Sequence, residues 1–116
     1  MPTIEMMRQL EEHLGLHLLA ITVGAAYDEV TRCVIEESEP SPVHERRLRE
    51  AHEVWQFVLS AESLETTRAW WIGMKDGLDD RSPAEAIAAD RTRHVMAVAR
   101  YFVEARWVNS ADPSPT

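Results

Sequence analysis

Apolar residues along this chain recur at spacings of three and four, and nowhere do they alternate with polar ones over the length of a strand. That period places one apolar stripe on each helix and leaves no half-buried strand to pair. The 4 Gly and 6 Pro fall at the ends of the periodic runs, where helices start and stop. The pattern predicts an all-α fold, a small bundle of about seven helices with the N-terminal three packed against the rest.

Thr3 reads as an N-cap, followed by Ile4, Met7, Leu10 and Leu14 at helical spacing. Gly15 breaks that helix, and a short, nearly all-apolar one runs from Leu16 to Val23, closed by Gly24. Asp28 reads as the cap of a third helix through Val30, Val34 and Ile35. Three short helices joined by tight turns have a helix-turn-helix layout. The stretch Glu36–Pro42 is a linker that ends in Ser41-Pro42, an N-cap with Pro in the first helical position. The helix that follows carries Leu48, Ala51, Trp55, Val58 and Leu59 on one face. A further helix spans Ser63 to Met74, and a Gly- and Asp-rich turn spans Gly73–Arg81. Ser82-Pro83-Ala84-Glu85 is a strong start signal: Ser caps, Pro takes the first position, and Glu can reach back to the cap. The last helix runs from about Asp90 to Val108, with Val95, Val98, Ala99, Phe102 and Val103 as its core face. The polar tail Asn109–Thr116 reads as flexible in the free chain. Two regions follow: a helix-turn-helix-like part at 1–40 and a helical part at 41–116.

The 116 residues suit one domain, or two small subdomains sharing a core. No apolar run reaches the length of a membrane span, and the apolar stretch Leu14–Ala26 follows Glu11 and Glu12 where a secretory signal needs a basic start. The expected location is the cytoplasm. Net charge is −8 and uneven. Residues 1–40 hold two basic against eight acidic residues, giving −6, and residues 41–116 hold ten against twelve, giving −2. Phosphate neutralisation drives most nucleic-acid affinity, so this balance opposes DNA binding by the N-terminal part alone.

The residues offer little for catalysis. His13 and His17 lie four apart, but Gly15 stands between them and no third ligand is evident, so they read as structural histidines. His44-Glu45 and His52-Glu53 lack the second His of a zincin helix. The single Cys33 permits no intrachain disulfide, and in the run Cys33-Val34-Ile35 it reads as a buried, inert thiol. Phosphate loops, nucleophile elbows and dinucleotide fingerprints are absent. The expectation is a protein that is not an enzyme and needs no cofactor or metal.

The four tryptophans point to burial and to a partner. Trp55 fits a core face. Trp70 and Trp71 are adjacent, about 100° apart on a helix, so one of them is expected near the surface or at an interface. Trp107 sits near the end, where a lone domain has little to cover it. Arg93, Arg100 and Trp107 repeat every seven residues on the last helix, with Ala97 and Glu104 between them. This second stripe carries residue types enriched at interface hot spots. The alternative is a solvated face with Trp107 packed on its own domain.

Arg46-Arg47-Leu48-Arg49-Glu50-Ala51 leads to Arg68-Ala69-Trp70-Trp71-Ile72-Gly73-Met74, and then to Gly77-Leu78-Asp79-Asp80-Arg81-Ser82-Pro83-Ala84-Glu85-Ala86-Ile87. These segments, followed by a helix like Val95–Ala105, resemble the toxin-binding domain of the Xre/MbcA/ParS-type antitoxins. The resemblance covers residues 42–108 well and residues 10–40 loosely. It implies a partner, a RES-domain toxin that consumes NAD, neutralised by direct binding. It also implies a homodimer or a hetero-oligomer with the toxin, and repression of the chain's own operon. In such proteins the C-terminal portion closes the toxin's pocket, which here implicates Arg93, Arg100, Tyr101 and Trp107. Glu104 and Asp112 could answer basic residues of an NAD pocket. Arg81 could grip a partner carboxylate, beside the structural turn of Ser82 and Pro83.

One segment departs from that family. Where its members have a basic recognition helix, this chain has Asp28-Glu29-Val30-Thr31-Arg32-Cys33-Val34-Ile35-Glu36-Glu37. Thr31 and Arg32 are the candidate DNA contacts, and Arg32 is the segment's one basic residue. DNA binding is therefore expected to be weak, or to belong to the complex. The competing reading is a stand-alone helix-turn-helix transcriptional regulator.

Overall fold

Helix α1 (Thr3–Val23) is broken at Gly15, whose φ of 83° and ψ of 164° lie in a region essentially reserved for glycine. Any side chain there would add strain of about 1–3 kcal/mol. The break lets the two halves of α1 lie on different neighbours, in a computed structural model that describes residues 1–111, with side chains for residues 1–106. The elements that follow are α2 (Tyr27–Glu36), α3 (Pro42–Leu59), α4 (Leu64–Ile72), a single 3₁₀ turn (Asp76–Leu78), α5 (Pro83–Ala88) and α6 (Thr92–Ala111). The fold is all-α. Counting the two halves of α1, seven α-helical segments stand among the described residues. Lys75 and Arg81 form an isolated antiparallel bridge across the Asp-rich turn, and the described residues contain no strand.

The expected caps Gly24, Ser41 and Ser82 hold, and Ser63, read as the first residue of its helix, caps it instead. Gly24 closes α1 in the left-handed conformation, and a Cβ there would lie 2.8 Å from Arg47 Nη1. Ser41 and Ser63 accept from the third backbone N–H of α3 and α4. At α5 the Glu85 N–H donates to Ser82 Oγ (3.1 Å), while the Ser82 N–H donates to Glu85 Oε1 (3.0 Å). That reciprocal pair satisfies two orphan donors at a buried helix start. Ser82→Ala is expected to cost about 1 kcal/mol in a urea titration. An unchanged midpoint would mean that Ser82 serves something other than the cap.

Two caps differ from expectation. The N-cap of α1 is Pro2, without a side-chain bond, because the Thr3 hydroxyl donates to Glu45 on α3 (2.9 Å). Helix α2 begins at Tyr27 with Ala26 as its cap, so Asp28 lies in the first turn and complements the helix dipole. The last helix also shifts. Asp90 is left-handed (φ 62°) and sits in the break before α6, which continues past Val108 to Ala111. Residues 109–111, read as tail, are therefore helical.

The core runs through both halves of the chain. Leu10 and Leu19 of α1, Leu48 and Val54 of α3, Ile87 of α5 and Val95 of α6 are fully buried in one cluster. Trp55 and Trp71 meet edge-on at its centre, with centroids 5.4 Å apart and an interplanar angle of 79°. Trp71 Nε1 donates to Thr22 Oγ1 (3.1 Å), which donates in turn to the Leu18 carbonyl (2.8 Å). One tryptophan of the 70–71 pair was expected near the surface or at an interface; within the chain itself both are buried. Helix α4 is covered on two sides: Trp71 faces α1 and α3, and Trp70 stacks on Phe102 of α6 (5.8 Å). Cys33 is buried, and His13 and His17 stack on Trp55 and Tyr27, as befits structural side chains.

Candidate partner-binding surface

The start of α6 is fixed by one ion cluster. Arg47 Nε and Nη2 donate to the two carboxylate oxygens of Asp90 (3.0 and 3.2 Å), and Arg46 Nη2 donates to Asp90 as well (2.7 Å). Arg47 Nη1 also donates to the Val23 carbonyl at the end of α1 (3.1 Å). One guanidinium thus ties α1, α3 and the α5–α6 junction together. The hydrogen bonds from Arg47, then those from Arg46, hold the Asp90 carboxyl down at about 2. A carboxyl whose folded value lies below its unfolded value of about 3.9 adds stability above that value and loses it as pH falls. The Asp90 contribution should therefore disappear between pH about 4 and about 2. Asp90→Asn keeps a residue that tolerates the left-handed backbone. Its melting temperature should fall less than that of the parent between pH 4 and 2; equal falls would refute the assignment.

From that fixed start α6 presents a continuous outer face. Arg93, Ala97, Arg100 and Glu104 are all exposed, while Val95 and Ala99 are fully buried on the opposite side. The described part of the expected stripe is therefore one solvent-facing row. Tyr101 lies beside it, 75% exposed. Arg81 is exposed at the end of the Asp-rich turn, where its carbonyl accepts from the Lys75 N–H (3.0 Å). Ser82 and Pro83 are buried, which fits a structural turn. The side chain of Trp107 and all of Asp112 lie outside the described residues.

Next to the row lies a groove of about 480 Å³ between α4 and α6, with Trp70, Val98, Phe102 and Ala105 among its lining residues. Lys75 lies at one side, its Nζ 5.7 Å from the Trp70 ring centroid and donating to the Gly73 carbonyl (2.9 Å). Burial pushes the Lys75 ammonium below its ordinary value. Arg106 lies over Phe102 (5.4 Å) and pairs with Glu62 (2.7 Å). Sequence reasoning placed Tyr101 at the interface but missed the groove beside it. A groove forms only when Trp70 and Phe102, 32 positions apart, are brought together, and no local pattern encodes that.

The face of α2 carries no comparable charge for nucleic acid. Asp28, Arg32, Ile35 and Glu36 are exposed, Thr31 is half-buried, and Glu29 pairs with His44 of α3 (3.1 Å). Among the described residues there is no cluster of three potential metal ligands, and no helix is long and apolar enough to cross a membrane.

No family model and no curated protein matches the chain. Among solved structures, it is similar to a chain of the crystal structure of the M. tuberculosis MbcT–MbcA toxin–antitoxin complex. The TM-score is 0.71 at 19% identity, over 88% of this chain and 94% of that one. The chain therefore has the fold of a component of a toxin–antitoxin complex.

Proposed function

We propose that this protein is an antitoxin, which binds a toxin protein and neutralises it by contact and without chemistry of its own. The observation that carries this reading is the fold, shared over nearly the whole of both chains with a component of a toxin–antitoxin complex. The exposed row of α6, set on a rigid junction, supports it as a surface built for a protein partner. The resemblance of residues 42–108 extends the proposal to a RES-domain, NAD-consuming toxin. In this reading α6 and the residues after it cover the toxin's active site. Residues 41–116 form the toxin-binding part, and residues 1–40 support it. The acidic balance of residues 1–40 leaves operator binding and autoregulation to the complex, in which a second chain supplies phosphate contacts.

The experiment is co-expression with the product of the adjacent gene, carrying a tag on that product alone. Stoichiometric co-elution, together with suppression of the product's NAD consumption in a purified assay, is the expected outcome. Elution of the two proteins apart, with NAD consumption untouched, would defeat the proposal.

A further inference from the structure

We propose that the groove between α4 and α6 takes one bulky apolar side chain, with a carboxylate beside it, from the protein partner. The inference rests on the antitoxin reading and names the chemistry by which that partner is held. The floor is apolar and aromatic, formed by Trp70, Val98, Phe102 and Ala105, and its volume of about 480 Å³ accommodates a large side chain. Its polar lining groups are Thr66, Lys75, Tyr101 and Arg106, and of its two cations Lys75 is the one without an acidic acceptor among the described residues. Trp70 is 4% exposed, and its Nε1 has no acceptor among the described residues. That N–H is itself covered, so what Trp70 offers the groove is its apolar ring. Lys75 has no carboxylate within ion-pair distance among the described residues and is partly desolvated over the Trp70 ring. A cation held this way at the wall of an apolar groove selects an anion. Arg106 does not compete for this role, since Glu62 already neutralises it. Tyr101 stands exposed at the lip, beside the α6 row, so a partner lying on that row reaches the groove without a second docking event.

Two measurements test this. In the first, the isolated protein is titrated with 3-phenylpropionate while the indole N–H signals are followed by NMR. A saturable shift of the Trp70 indole signal is expected, with little shift from the neutral 3-phenyl-1-propanol. Lys75→Met should weaken the response about tenfold by removing a charge-assisted contact. A Trp70 signal that does not move, or that moves equally with the alcohol, overturns the assignment. In the second, Lys75→Glu and Ala105→Trp, which reverse the charge and fill the groove, are compared with the parent for toxin affinity. A loss of at least tenfold in each is expected. Parent-like affinity in both variants overturns the groove as an anchor while leaving the antitoxin reading intact. If the parent itself binds no toxin, the antitoxin reading fails, and the phenylpropionate titration still decides the chemistry of the groove.

Discussion

Trp71→Ala is expected to remove about 3–5 kcal/mol of stability, a large share of the 5–15 kcal/mol typical of a domain. Trp71 is fully buried, packs edge-on against Trp55, and ties α4 to α1 through Thr22. Its removal opens a cavity and deprives the Thr22 hydroxyl of its donor. The indole hydrogen bond can be separated from the packing. Thr22→Val leaves Trp71 Nε1 buried without an acceptor and should cost about 1–3 kcal/mol. Trp71→Phe keeps most of the ring and leaves Thr22 its bond to the Leu18 carbonyl. The double variant should be less damaged than the sum of the two singles, because the orphan donor is then gone. Chemical denaturation measures all four. Strict additivity would show that the buried bond contributes nothing of its own.

The second large effect concerns neutralisation. Within the proposed function, Arg100→Ala, Trp107→Ala and deletion of residues 107–116 should each weaken inhibition of the toxin. A Trp or Arg at the centre of an interface is commonly worth about 2 kcal/mol or more, which is about thirtyfold in affinity. Arg100 is exposed in the row of α6 and holds no part of the core, so Arg100→Ala should leave the melting temperature unchanged. A truncated protein that folds and inhibits as well as the full chain would move the inhibitory surface away from the end of α6. The exposed Arg81 in the Asp-rich turn would be the next place to look.

Much of this architecture was legible because its causes are local. Gly15 breaks a helix through its own backbone, Ser82 and Glu85 cap each other across three residues, and the outer row of α6 follows from the helical period. What escaped depends on distant partners. Thr3 looked like a cap, but Glu45, 42 positions away, takes its hydroxyl. One of Trp70 and Trp71 was expected near the surface or at an interface, because neighbours on a helix point about 100° apart; Trp71 takes the side facing α1 and α3, which leaves Trp70. It is buried because α6 returns to stack Phe102 on it. The groove and the placing of Lys75 over the Trp70 ring follow from that same return, so they became visible only with the fold.

The clamp at Arg47 has a mechanical consequence. Helix α6 spans 20 residues, and at 1.5 Å per residue it is a rod about 30 Å long, set at its start by Asp90 and held further along by Phe102 on Trp70 and Arg106 on Glu62. A rod of that length magnifies error: about 10° of play at the base moves the tip by about 5 Å, enough to carry a side chain out of any pocket meant for it. The bonds that fix Asp90 against the end of α1 therefore set the angle at which α6 leaves the junction, and the contacts of Phe102 and Arg106 keep it there. Arg47 and the Val23 carbonyl, both in the first half of the chain, thereby help to set the direction of the exposed α6 row.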